Sequence, residues 1–341
     1  MNHPRIVASM RDNHGMPHVL HTVHTVITHA APSGPRSLEA LSALQLPNLA
    51  QLLRQMGLST TLQGHADQLT PLHEQVQARQ MELAYEADGL IPWAAADAAR
   101  LGLAAQHGSD GWAWITPCQW KIHTHHVEMA EPQHLALTPE EADALHSAMQ
   151  PYFAEDGITL FPHPLGHAHT TWLAQGDIFR DLPTASLDRV AGQTVDAWMP
   201  RQAQAKTLRR LQNEMQMLLY THPVNDARHT QGQPTVNSFW VSGTGNARPQ
   251  PHTAAPPCTV LHTLREPALH DDAAGWARAW QTLDRTALAD LLVQLQSGHP
   301  VQLTLCGDLQ AKTLESLPAS WWARIRQRFA APQPHAFLRN L

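Results

Sequence analysis

HVLHTVHTVITH, residues 18–29, runs directly into the breaker Pro32-Ser33-Gly34-Pro35, and its reading decides the fold class. Val, Ile and Thr dominate it, which suits a buried strand. The proline-glycine cluster then stops the chain. Ser37 follows as a helix cap, with Leu38, Leu41, Leu44, Leu49, Leu52 and Leu53 on a helical stripe interrupted at Pro47. A strand followed by an amphipathic helix is the usual opening of a parallel α/β sheet. The polar residues before this strand read as a frayed terminus.

At the far end, VQLTL (301–305) is a second buried strand, ending at Cys306-Gly307-Asp308. Residues 276–296 are helical, residues 203–220 carry Leu208, Leu211, Met215, Leu218 and Leu219 on one stripe, and residues 321–329 form a basic helix. Between the ends, residues 69–100 are mainly helical, punctuated by Asp88-Gly89 and Pro92. GWAWI (111–115) and residues 122–127 read as strands flanking Thr116-Pro117. Thr138-Pro139-Glu140-Glu141 has the form of a capping box with proline at the first helical position. Residues 158–161 and 171–173 read as a hairpin. This middle section has its own rhythm, which suggests an inserted α+β subdomain over 116–180 between core segments 18–115 and 181–341.

The 341 residues are 43% hydrophobic and carry a formal net charge of −6, which argues against broad nucleic-acid binding. No run of eighteen apolar residues predicts a membrane span. The N-terminus lacks the apolar core of a secretory signal, and Cys118, Cys258 and Cys306 are sparse and unpaired in spacing. The expected location is the cytoplasm, with the cysteines as buried structural residues.

The densest stretch of chemically capable residues is MLLYTHPVNDARHTQGQPTVNSFWVSGTG, residues 217–245. A helix is expected to end at His222-Pro223, a loop to carry Asn225 and Arg228, and a strand to deliver Asn237 ahead of the turn Gly243-Thr244-Gly245. Arg228 offers a fork for carboxylate or phosphate, and Asn and exposed backbone N–H groups complete an anion site. The plainer alternative is a helix terminus with a satisfied His and a surface Arg. The chain also holds 24 His, with clusters at His123, His125 and His126 and at His163, His167 and His169. On one strand, His123 and His125 would share a face and His126 would not. The simpler account of these clusters is a compositional bias.

The pattern HPVN-xx-R-xxx-G-xxx-N-xx-W-x-x-G-x-G resembles a segment of the archaeal-type cofactor-independent phosphoglycerate mutases of the alkaline phosphatase superfamily. LQLPNLAQLL (44–53), residues 138–173 and TASLDRVAGQTVDAWMP (184–200) are similar, in order, to further stretches of that family. DGLIPWAA, TASLDRV and NEMQMLLYTHPVNDAR resemble a bacterial group that includes RpfE-type regulatory proteins. The resemblance implies a three-layer alkaline-phosphatase-like core with a smaller inserted α+β subdomain. It also implies two metal ions, Mn, Zn or Mg, held by Asp and His, beginning with Asp-Gly after the first strand. This chain has His29-Ala30-Ala31-Pro32 there, and Cys306-Gly307-Asp308 where a late Asp-His pair belongs.

Three functions follow as expectations. One is a catalytically degenerate mutase-like protein with a regulatory role, its cleft of His222, Asn225, Arg228, Asn237, Gly243 and Gly245 binding a small phosphorylated or carboxylated ligand. Another is an active mutase interconverting 2- and 3-phosphoglycerate, with His29 and Asp308 among its metal ligands. The last is a His-rich metal-binding protein.

Overall fold

The structure is a computed structural model describing residues 22–32, 34–104, 111–163, 171–246, 258–317 and 332–341. In chain order the strands are β1 (Val23–Ile27), β2 (Met56–Gln63), β3 (Gly111–Cys118), β4 (Trp120–Ile122), β5 (Val127–Met129) and β6 (Thr159–Pro162). They continue as β7 (Trp172–Gln175), β8 (Ser238–Asn246), β9 (Cys258–Leu261), β10 (Val301–Cys306) and β11 (Gln310–Ser316). The helices begin with α1 (Pro35–Ala43), α2 (Pro47–Gln55), α3 (Leu72–Gln80), α4 (Trp93–Arg100), α5 (Pro139–Glu155) and α6 (Leu187–Val190). After these come α7 (Ala205–Tyr220), α8 (Pro223–Thr230), α9 (Arg265–Leu269), α10 (Ala273–Arg285), α11 (Ala287–Gln296) and α12 (Pro334–Arg339).

The expected α/β class and three-layer core are both observed. The first sheet has the order β2-β11-β10-β1-β9. β1 lies parallel to β9 and β10, whereas β11 runs antiparallel to both of its neighbours, β10 and β2. Val26 and Ile27 are adjacent, fully buried, and face opposite layers. Ile27, Leu303 and Leu305 pack against Leu41, Leu49, Trp276, Trp280, Leu288 and Leu338 from helices on one side. Val26 and Ala311 pack against Leu72 and Val76 of α3 on the other. A strand covered on both faces reads as a continuous apolar run, which is why β1 is legible. Each aliphatic side chain so buried contributes about 1.5–3 kcal/mol. Pro47 does not merely interrupt a helix. It starts α2, whose first N–H groups donate to the buried Asp284 carboxylate, Leu49 N at 2.9 Å and Asn48 N at 3.2 Å.

The second sheet, β6-β7-β3-β8, is antiparallel. α5 and α7 bury Leu145, Met149, Phe153, Leu208 and Met215 on one face, and α4 packs Ala94 and Ala98 on the other. All its strands fall between β2 and β9 in the chain, so it is inserted into the first sheet's sequence. Its strands come from 111–246, on both sides of the expected 116–180 boundaries.

Several elements differ from expectation. Residues 122–127 are not one strand. β4 and β5 form a hairpin, and His123 N donates to His126 O across the turn at 2.9 Å. Residues 223–230 form α8 rather than a loop, with His222 as its cap through Nδ1, which accepts from Val224 N. β8 runs on through Gly243 and Gly245 instead of turning. At Gly243, φ is +63°, and an added Cβ would lie 2.8 Å from the Trp114 ring. The glycine is therefore there to let the stacked Trp93 and Trp114 approach the strand. The basic helix at 321–329, the loop at 249–257, and His167 and His169 lie outside the described residues. No described helix is long and apolar enough to cross a membrane.

Candidate functional site

The residues expected to form an anion cleft are drawn instead into the protein's own hydrogen bonds. Arg228, only 2% exposed, donates through Nε to Pro234 O at 2.7 Å, through one terminal nitrogen to Glu141 Oε2 at 2.7 Å, and through the other to Leu135 O. Asn225 donates to Leu219 O and Val236 O and accepts from Val236 N. Asn237 bonds both the N–H and the carbonyl of Trp120, standing in for a strand neighbour. His222 caps α8, and burial lowers its basicity. Gly243 and Gly245 accommodate Trp114 and Pro92. These side chains hold the α5, α7, α8 and β8 region together, and their polar atoms are already matched.

A different cluster lies at the carboxyl ends of β1 and β9, where ligands bind in sheets with parallel strands. β1 leads into Thr28 and His29, and β9 into the exposed His262. His29 sits at φ +54°, a left-handed conformation rare outside glycine. Its carbonyl accepts from Trp276 Nε1 at 3.3 Å, which holds the turn. The ring lies 5.6 Å from that of His73, on the first turn of α3, and His73 lies 5.9 Å from His262. The inserted part contributes Asp188 and Glu131. His73 Nε2 is 3.1 Å from Asp188 Oδ2, and Arg265 Nε of α9 donates to Asp188 Oδ1 at 2.6 Å. A second Arg265 nitrogen donates to Glu131 Oε2 at 3.3 Å. The third, Nη2, has no hydrogen-bond partner among the described residues. Thr28 and Ser186, the hydroxyls bordering the cluster, are both buried. Thr28 contacts His29 and His262, and Ser186 donates to Glu74.

Electrostatics follow from this packing. Burial, then the neighbouring His73, drives the His29 pKa from 6.5 down to about 3, so the ring is neutral near pH 7. Burial alone would raise the Asp188 pKa. The His73 hydrogen bond and the charges of His73 and Arg265 outweigh it and hold the carboxyl well below its usual range. Burial raises the Glu74 pKa despite His73 and the Ser186 hydrogen bond.

These shifts predict a pH dependence. The unfolded chain binds a proton at position 29 that the folded chain refuses between about pH 3 and 6.5. The contribution of neutral His29 is therefore complete above pH 6.5 and lost as pH falls, by at most about 1.36 kcal/mol per unit. His29→Gln is expected to flatten this acid limb in urea midpoints taken from pH 7 to 4. Identical limbs for both proteins would contradict it.

No family model matches the chain, and no curated protein matches it. Two solved structures are similar in part. One is a cofactor-independent phosphoglycerate mutase from Thermoplasma acidophilum DSM 1728, 13% identical, with 88% of this chain and 90% of that chain covered and a TM-score of 0.35. The other is the PH0037 protein from Pyrococcus horikoshii, 13% identical, with 94% and 98% covered and a TM-score of 0.44. Similarity at this level transfers no residue role to this chain.

The residues at the cluster do not fit a two-metal centre. Asp308 is exposed in the turn between β10 and β11, and no hydrogen bond or ion pair joins it to His29. The left-handed turn at His29 carries its ring to His73 instead. Among the described residues, the one set of three His, Cys, Asp or Glu donors close enough to share an ion is His123, His126 and Glu128. His163 pairs with Asp97 at 3.0 Å. Cys118 and Cys306 are buried, and burial pushes both thiols up, which leaves them unreactive.

Sequence reasoning found His29 but missed His73, Asp188, His262 and Arg265. Asp188 stood inside TASLDRV, quoted for its resemblance alone. His262 directly follows β9, a four-residue strand too short to announce itself.

Proposed function

We propose that this chain is a phosphoglycerate-mutase-like protein that no longer performs two-metal phosphoryl transfer and binds a small phosphorylated or carboxylated ligand in a regulatory, cytoplasmic role. This is the role its resemblance to the RpfE-type group suggests. One observation carries the reading: the Asp188 carboxylate beside the imidazoles is held on one oxygen by His73 and on the other by Arg265. A two-metal centre places two dications about 3.5–4 Å apart among free carboxylates. Here the carboxylate already has two protein partners, and a fixed guanidinium repels any arriving cation. Neither bordering hydroxyl is presented as a nucleophile, since Thr28 and Ser186 are both buried.

Binding an anion needs donors, and Arg265 Nη2, without a partner among the described residues, supplies one. Neutral His29 adds no positive charge, and the two carboxylates on Arg265 exceed its single positive charge. A phosphate or carboxylate is therefore held by directed hydrogen bonds, Arg265 Nη2 first, more than by net charge.

The test has two parts. A coupled assay of 3- to 2-phosphoglycerate conversion, with and without Mn²⁺, is expected to show no turnover. Calorimetric titration with 3-phosphoglycerate at pH 7 is expected to show binding. Turnover that requires Mn²⁺ and is abolished by EDTA would restore the active-mutase reading. No binding would remove the ligand-sensing role.

A further inference from the structure

The β4–β5 hairpin carries chemistry that the cluster above does not use. Its turn residues 123–126 fold back so that His123 and His126, rather than His123 and His125, come together, with ring centroids 4.5 Å apart and planes 16° from parallel. His123 Nε2 lies 3.5 Å from Glu128 Oε2 on β5. One donor atom from each of His123, His126 and Glu128 lies within 4.8 Å of the other two.

We propose that this hairpin is a binding site for a divalent transition-metal ion of the zinc class, independent of the Arg265 cluster. Two imidazoles and a carboxylate suit Zn²⁺, and a tetrahedral ion with ligands near 2.0–2.1 Å needs its donors only about 3.3 Å apart. His123 and His126 stand on the short turn, both exposed, and Glu128 on β5 beside it, so small side-chain rotations close that gap without moving the core. The main-chain bond from His123 N to His126 O fixes the turn beforehand, which lowers the ordering cost.

Three protein ligands leave a fourth position open. Glu128 and Lys121 also line a cavity of about 200 Å³ together with Glu131, His134 and His270. An ion on the hairpin therefore sits at the cavity rim, where the open position takes water or an anionic group entering the cavity. Lys121 Nζ, 4.0 Å from the other Glu128 oxygen, competes with the ion for that carboxylate.

Calorimetric titration of the full chain with Zn²⁺ at pH 7.5 tests the site. His123→Ala/His126→Ala is expected to lose the tightest equivalent, weakening it more than about 100-fold, beyond the effect of altering an outer-sphere partner. Glu128→Gln is expected to weaken it, and Lys121→Gln to tighten it. The other histidines give a background common to all four proteins, so the differences report this hairpin. Exposed positions leave folding intact, checked by unchanged thermal melts. Equal affinity and stoichiometry in the double variant and the wild type would overturn the proposal. So would a Lys121→Gln variant that binds Zn²⁺ more weakly.

Discussion

Arg228→Ala is expected to cost the fold about 3–5 kcal/mol, the range for breaking a buried charge pair by removing one partner. The guanidinium is nearly inaccessible and its three nitrogens serve three segments: Pro234 after α8, Glu141 at the start of α5, and Leu135 before it. Glu141 has a second task, because the same Oε2 accepts from Thr138 N in the capping box of α5. Truncating Arg228 leaves that carboxylate without its counter-charge, orphans two buried carbonyls and opens a cavity. Arg228→Lys keeps the charge but not the planar fork, and should fall between the two. Urea unfolding followed by circular dichroism measures the loss. A cost under about 1 kcal/mol, the worth of an exposed ion pair, would mean the guanidinium is free for an external anion after all.

Arg265→Met is the second large effect, and its pH dependence distinguishes it from a packing defect. Methionine keeps much of the length and removes the charge that faces Asp188 and Glu131. At pH 7 the loss is expected to be about 3–5 kcal/mol, with both carboxylates left in a low-dielectric setting. The sign with pH follows from Asp188. Its folded pKa is depressed, so its stabilising contribution is fully present above the unfolded value near 3.9 and is lost gradually as pH falls from there toward the much lower folded value. The gap between wild type and variant should therefore be widest near pH 7 and shrink progressively as pH falls into the carboxylate range and below it. A gap that stays constant with pH would assign the loss to packing and detach Arg265 from the electrostatics of the site.

What the sequence made legible was what local pattern encodes. β1, β10 and the Thr138 capping box carry strong short-range signals. β2 and β11 did not, since β2 is a polar edge strand with Leu58 exposed, and edges need no apolar alternation. The 217–245 segment misled for a physical reason. Asn and Arg that serve a ligand and those that satisfy backbone carbonyls are the same residue types. Only the partner tells them apart, and Glu141 and Leu135 lie 87 and 93 positions from Arg228. The Arg265 cluster was hidden in the same way. Its members come from β1, α3, α6, α9 and the loop at Glu131, and no window of sequence holds two distant ones together. On the hairpin, the assumed strand period paired His123 with His125, and a four-residue turn made His126 the partner.

The order of the strands has a consequence for how the molecule is assembled. β1 borders β9 and β10, which come far later in the sequence, and its buried His24 bonds Thr304, 280 positions later. The first sheet cannot close until the segment carrying β9 and β10 has been made. Contacts at such separation carry the loop-closure entropy of everything between them. The strands of the second sheet have no such wait, since their partners all fall within 111–246. Each compact element formed there shortens the effective loop that β1 must span. During synthesis, until then, the Val-Ile strand β1 is an unpaired apolar edge, the kind of segment that chaperones hold.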